Sequence, residues 1–262
     1  MDFASFYDKQ PDYVSFRNDP SRRRDYEILS DWKVRKLVQL VPEGLRFDNV
    51  LEVGCAFGVL LNNIAGRLGI KDRTGVDISA KNIEVARDLF PECTFFAGTL
   101  EEFISKQPDG PGKKRFDLVV LSDIIEHLPD DLGFLKTVQN YCSFVLLNLP
   151  LEKSLSTRNR NYGEEDPSGH LRCYDNDDAV RLVTEAGYTI VKDYTSTAFF
   201  DEQFYGVYKK NRDARIGKKT LPKKAFWTLF YFLQDKLKSV SRGLTDKIYG
   251  TNYFALLKSQ SP

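Results

Sequence analysis

The chain has 262 residues, enough for one large domain or one domain with an appended cap. Its 42% hydrophobic and 29% charged residues fit a soluble globular protein, and 38 Lys plus Arg against 37 Asp plus Glu exert no strong pull on a polyanion, so no nucleic-acid partner is expected. The four cysteines are scattered and form no CxxC, which argues against a structural zinc site; with no signal-peptide pattern in the polar, aromatic start and no apolar run of ~20 residues, the expected location is the cytoplasm.

Residues 1–46 read as an N-terminal helical cap. Ile28, Leu29, Trp32, Leu37, Leu40 and Val41 are spaced roughly as one helical face, and Pro42 and Gly44 stop it. The core, 47–198, opens with a strand over 47–53 that ends in Gly54-Cys55-Ala56-Phe57-Gly58. A helix follows over 59–68, then a strand over 74–78, a helix that Ser79 caps and Pro91 ends, and a short strand over 94–97. Residues 106–115, rich in Gly, Pro and charge, read as a surface loop. Strands over 116–121 and 143–149 bracket a helix over 130–141. Their continuous Val, Leu and Ile content suits a parallel sheet covered on both faces.

The rhythm then breaks. Residues 152–174 form a long polar loop, and loops of that length tend to be functional. Asp175 caps the next helix with Asp178 three residues on; Gly187 closes it, and a sixth strand runs over 188–196. Residues 199–250 form a helical and basic insertion, lysine- and arginine-rich before an aromatic stretch over 225–237. Residues 251–262 supply the final strand and tail. The expected fold is α/β, a Rossmann-like, open, mostly parallel seven-stranded sheet with helices on both faces.

The strand-edge turn around Gly54 and Gly58 gives a ligand close access to the backbone and opens a helix whose N-terminus favours an anion. Asp77, ending the second strand, can accept both hydroxyl protons of a ribose. A nucleoside cofactor at the carboxyl edge of the sheet follows. A nicotinamide dinucleotide would fit too, although the third glycine of its fingerprint is missing.

Four blocks, in order, resemble those of the class I S-adenosylmethionine-dependent methyltransferases, particularly those acting on small molecules and sugars. They are Val50 to Gly58, Gly75-Val76-Asp77-Ile78-Ser79, Ala97-Gly98-Thr99, and Phe116 to Asp123 with its extension Ile125 to Asp130. The resemblance implies S-adenosylmethionine as cofactor. It implies Gly54, Cys55 and Gly58 at the methionine end, with Glu52 supporting that loop. Asp77 would hold the ribose and Ile78 would lie against the adenine, which Gly98, Thr99 and Leu100 border. Ser122 and Asp123 would lie near the sulfonium.

Methyl transfer needs alignment with the carbon–sulfur bond and, for a hydroxyl acceptor, a base. The chain has two histidines. His170, in the long loop, is the first candidate base, and His127, after the fourth strand, is a base or an orienter of the acceptor. Glu126 and Asp123 are alternative proton acceptors. A metal site built from Glu126, His127 and His170 is a further option, but adjacent residues seldom point inward together and no metal is expected. On the acceptor side, Tyr7, Tyr13, Tyr162 and Tyr174 offer hydroxyls, while Arg158, Arg160 and Arg172 could meet a phosphate or carboxylate. The expected reaction is O-methylation of a small metabolite, a sugar or nucleotide-linked sugar first. N-methylation of an amino sugar or natural product, methylation of a lipid-linked acceptor, and nicotinamide-dependent oxidoreduction are the alternatives. The aromatic segment 221–241, with its lysines, is a candidate for peripheral membrane contact, packing on the domain or a homodimer contact being the plainer account.

Overall fold

The computed structural model describes residues 3–107, 115–163 and 166–260. Three helices come first: α1 (Phe3–Lys9), α2 (Pro11–Asn18) and α3 (Pro20–Val38). Pro11 and Pro20 sit at the first turns of α2 and α3, where a missing N–H costs nothing, and the Asp19 carboxylate caps α3 by accepting from the Ser21 backbone. This Asp-Pro start explains why α3 begins well before the amphipathic run near Tyr26.

The alternating core then runs β1 (Asn49–Val53), α4 (Val59–Leu68), β2 (Asp72–Asp77), α5 (Ala80–Leu89), β3 (Thr94–Ala97), α6 (Leu100–Ser105), β4 (Phe116–Ser122), α7 (Asp131–Gln139), β5 (Cys142–Leu151), α8 (Asn176–Glu185) and β6 (Tyr188–Ser196). The loop expected over 106–115 lies largely outside the described residues. Residues 199–250 carry α9 (Glu202–Gly217), α10 (Leu221–Val240) and α11 (Arg242–Tyr249), before β7 (Thr251–Ser259).

The seven strands form one sheet in the order β3-β2-β1-β4-β5-β7-β6. The first five pair in parallel, and β7 lies antiparallel between β5 and β6. From β1 the chain builds outward through β2 and β3, then returns to build the other way through β4 and β5. Such a reversal opens a crevice at the carboxyl ends of the two central strands.

Alternation along each strand feeds two cores. Leu51, Val119, Leu121, Val145 and Leu147 face a layer made by α6, α7 and α8. Val50, Leu118, Val120 and Leu146 face Trp32, Val34 and Leu37 of α3 with residues of α4 and α5. Both faces of the sheet are therefore covered, which is why the strands are apolar at successive positions. No helix among the described residues is long and apolar enough to cross a membrane.

Candidate functional site

A cavity of about 720 Å³ opens at the carboxyl ends of β1, β2 and β4, beneath α1. Gly54, Asp77, Ile78, Gly98, Thr99 and Leu100 line one end. Asp123, Ile124, His127, Leu128, Phe134 and His170 line the other, with Tyr7 and Tyr13 contributed by the N-terminal cap.

The first end is shaped by backbone. Gly54 has φ of +75°, and a Cβ there would meet Ile124 Cδ1 at 3.0 Å, so the strand can turn next to the cavity only without a side chain. The Asp77 carboxylate, nine-tenths buried, accepts from the Ala56 N–H and the Ser79 N–H, each at 2.8 Å. Burial pushes its pKa up to about 6, against the lowering by those two N–H donors. Ala56, with φ of +45°, holds the sparsely populated left-handed conformation that brings its N–H to Asp77. Glu52 is buried behind the turn, with burial holding its carboxyl well above the usual range. Cys55 packs in the core, and Gly58 is the N-cap of α4; neither lines the cavity.

Asp123 follows β4 with φ of +54°. Its Oδ2 accepts from Lys33 Nζ at 2.6 Å, Ser122 Oγ at 2.7 Å and Asn148 Nδ2 at 3.0 Å. Burial would raise this carboxyl, but the Lys33 charge and hydrogen bond outweigh it and keep it ionised. Ser122 thus acts on the cavity through Asp123. Lys33 comes from α3 and no motif announced it.

The histidines meet across a 3-10 turn, Ile125–His127. This tight turn sets the neighbours Glu126 and His127 toward one point, and the loop 152–174 brings His170 to it; the Leu171 N–H donates to the Glu126 carbonyl at 2.8 Å. The two imidazoles pack edge to face with centroids 4.7 Å apart. The His127 Nδ1 donates to the Gly169 carbonyl at 2.9 Å, and the His170 Nδ1 lies 2.7 Å from Glu152 Oε2. With Nδ1 carrying the proton in each ring, both Nε2 atoms present lone pairs. They lie 3.8 and 4.0 Å from Glu126 Oε1. Burial, then the neighbouring His170, lowers His127 to about 4, so near neutral pH it is an uncharged acceptor. Glu126 is 1% exposed and both its carboxylate oxygens lack a hydrogen-bond partner.

The remaining acceptor candidates are placed differently. Arg172 pairs with Asp131 at 2.6 Å and donates to the Leu128 and Pro129 carbonyls. Arg160 binds Glu152 and Asp166, and its guanidinium lies over the Tyr162 ring. Tyr174 donates to Asp131. Arg158 is exposed; Tyr162, Arg158 and Arg172 do not line the cavity. The cap is fastened over the cavity by Ser79 Oγ donating to Asp8 Oδ1 at 2.6 Å and by Arg17 donating to Asn82 and to the Asp8 carbonyl.

Known proteins resemble the chain in sequence and in fold. Residues 21–193 match the model of a family described as a methyltransferase domain. The ubiquinone biosynthesis O-methyltransferase of Histophilus somni (strain 2336) is 33% identical over 104 residues, which are 38% of this chain and 42% of that protein. The chain thus matches well under half the length of such curated relatives. Phosphoethanolamine N-methyltransferase 2 of Haemonchus contortus, solved with S-adenosyl-L-methionine, shares the fold at a TM-score of 0.61 and 14% identity, covering 99% of this chain and 60% of that one. The plantazolicin methyltransferase BamL, solved with S-adenosylhomocysteine, shares it at a TM-score of 0.54 and 14% identity, covering 98% of both chains. The chain belongs to this family of methyltransferase domains.

Proposed function

We propose that the protein transfers the methyl group of S-adenosylmethionine to a hydroxyl of a small hydroxylated molecule. The observation that carries this reading is the pair of imidazole Nε2 acceptors at one end of a cavity whose other end holds Gly54 and Asp77. The sulfonium supplies its own leaving group, so the protein's tasks are alignment and removal of the acceptor's proton. His170 and His127 are placed for the second task. Asp77 fits the ribose hydroxyls and Gly54 the methionine end, with Gly98, Thr99 and Leu100 beside the adenine; Asp123 lines the cavity with the histidines.

Tyr7, Tyr13, Ile124, Leu128 and Phe134 give the acceptor end ring-sized apolar walls, which suit a ring that carries a hydroxyl, a sugar included. Arg172 is already held by Asp131 and two carbonyls, which favours an acceptor without phosphate over a nucleotide-linked one. The O-methyltransferase relatives favour oxygen over nitrogen as the accepting atom. The test is release of S-adenosylhomocysteine, followed by mass spectrometry, over a panel of phenols and sugars. The His170→Ala variant is expected to lose about 100-fold or more in turnover with cofactor affinity nearly intact. Turnover near that of the parent would overturn the assignment.

We also propose that α10 rests on an anionic membrane surface. Phe226, Leu229, Phe232 and Leu233 are exposed along it, and Lys223, Lys224, Lys236 and Lys238 lie on the same helix. Sedimentation with vesicles of phosphatidylcholine and phosphatidylglycerol, but not with phosphatidylcholine alone, is the expected result. A stable dimer in light scattering without pelleting would assign the face to a second copy instead.

A further inference from the structure

A buried carboxylate with no hydrogen-bond partner is an expensive thing to place in a protein, because the charge loses water and gains nothing in return. Glu126 is such a group: it is 1% exposed and neither carboxylate oxygen has a partner. Two imidazole nitrogens with available lone pairs face it, His127 Nε2 at 3.8 Å and His170 Nε2 at 4.0 Å. One donor atom from each of the three residues lies within 4.8 Å of the others.

We propose that Glu126, His127 and His170 hold a divalent first-row transition cation at the acceptor end of the cavity. Three arguments carry this. The first is distance. Two donors, each about 2.1 Å from a common ion, lie about 3.0–3.4 Å apart in octahedral or tetrahedral geometry, so the three donors come onto one ion with a closing movement of about 1 Å. The second is the support behind the donors. A ligating imidazole is held by a hydrogen bond from its other nitrogen to a carbonyl or carboxylate. His127 donates from Nδ1 to the Gly169 carbonyl at 2.9 Å, and His170 Nδ1 meets Glu152 Oε2 at 2.7 Å; Arg160 in turn fixes Glu152 at 2.8 Å. The third is charge. A cation gives the Glu126 carboxylate the partner it lacks, and the donor set of two nitrogens and one oxygen suits a borderline ion such as Fe2+, Co2+ or Zn2+ better than Mg2+ or Ca2+.

Three protein donors leave coordination positions facing the cavity that His127 and His170 line. The role in catalysis rests on the reading of the protein as an O-methyltransferase; the binding of the ion does not. An acceptor hydroxyl oxygen entering an open position loses its proton to solvent more easily. The oxygen then forms its bond to the methyl carbon as the carbon–sulfur bond breaks, its electron pair staying on sulfur to give the neutral thioether. In this account the two histidines assist removal of the acceptor's proton as ligands of the cation, in place of the free-base role read from the cavity alone.

The experiment is a titration of the full chain, freed of metal by a chelator, with Co2+ alone, followed by calorimetry and by visible absorption. One saturable equivalent is expected, with the Kd weakened at least 100-fold in His170→Ala and in Glu126→Gln. Glu152→Gln leaves all three donors in place while taking the charge from the support behind His170 and from the Arg160 pair; it is expected to weaken binding by about 10- to 100-fold. Absence of saturable uptake would overturn the proposal, as would a Kd equal to the parent's in all three variants, which would mean binding elsewhere. A parallel titration of the metal-free protein with S-adenosylhomocysteine tests the cofactor end by itself, so failure of one reading is distinguishable from failure of the other.

Discussion

Asp77 shows how much of the site one side chain organises. Its carboxylate fixes the turn after β1 through Ala56 and starts α5 through Ser79, and its remaining lone pairs face the cavity. The ionised form accepts from both ribose hydroxyls, whereas the neutral acid turns one oxygen into a donor and loses the charge that strengthens the other bond. With the pKa raised to about 6 by burial, affinity for the nucleoside should fall as pH drops through that value. At pH 5 only about one-tenth of the group is ionised, so binding is expected to be about tenfold weaker than at pH 7. Calorimetry of S-adenosylhomocysteine across that range checks this, and Asp77→Asn should bind weakly at every pH. Gly169 gives a second prediction. It has φ of +77°, and a Cβ there would sit 3.2 Å from the Phe6 ring and 3.4 Å from His127 Nδ1. Gly169→Ala should cost about 1–2 kcal/mol in chemical denaturation through backbone strain, and should lower turnover by displacing His127. Gly54 and Asp77 were legible in the sequence because their roles are local, two strand ends within one short span. Lys33 was not, since it reaches Asp123 from 90 positions away. The approach of Glu126 to His170 depends on a tight turn and on a long loop whose path no periodicity encodes.

Among the elements, α8 is the clearest case of a start written in the chain. Asp175 accepts from the Asp178 N–H and Asp178 accepts back from the Asp175 N–H, so two otherwise unpaired donors at the helix end are satisfied. Asp175→Ala should destabilise the protein by about 1 kcal/mol in urea denaturation. All seven strands were readable, β1, β4 and β5 from their apolar runs and the others from their place between helix signals, β3 and β6 to the residue. The helices that surround the core were harder. α1 and α2 are short, and the helical spacing of Phe3, Phe6 and Tyr7 and of Tyr13 and Phe16 spans too few turns to stand out in the sequence. α10 carries apolar residues that stay exposed, so its hydrophobic pattern reports something other than burial against the sheet.

For the molecule as a whole, the cavity joins β1, β2 and β4 to the cap and to the loop 152–174, so a ligand that fills it binds only the folded chain. S-adenosylhomocysteine at 100 times its Kd should add about 2.7 kcal/mol of stability. For a domain of this size that raises Tm by roughly 5–10 °C, which differential scanning fluorimetry will detect. The open α/β sheet followed from the strand–helix rhythm, whereas its reversal between β1 and β4 is set by the order in which the strands pair, which no local pattern encodes. The position of β7 has a consequence for how the chain comes to be folded during synthesis. β6 pairs only with β7 in the sheet, and β7 is separated from β6 by three helices. A nascent chain on the ribosome therefore exposes the free edge of β5 and leaves β6 without a neighbour until Thr251–Ser259 has emerged. The parallel half can assemble early, while the far edge waits for the last strand to be threaded in.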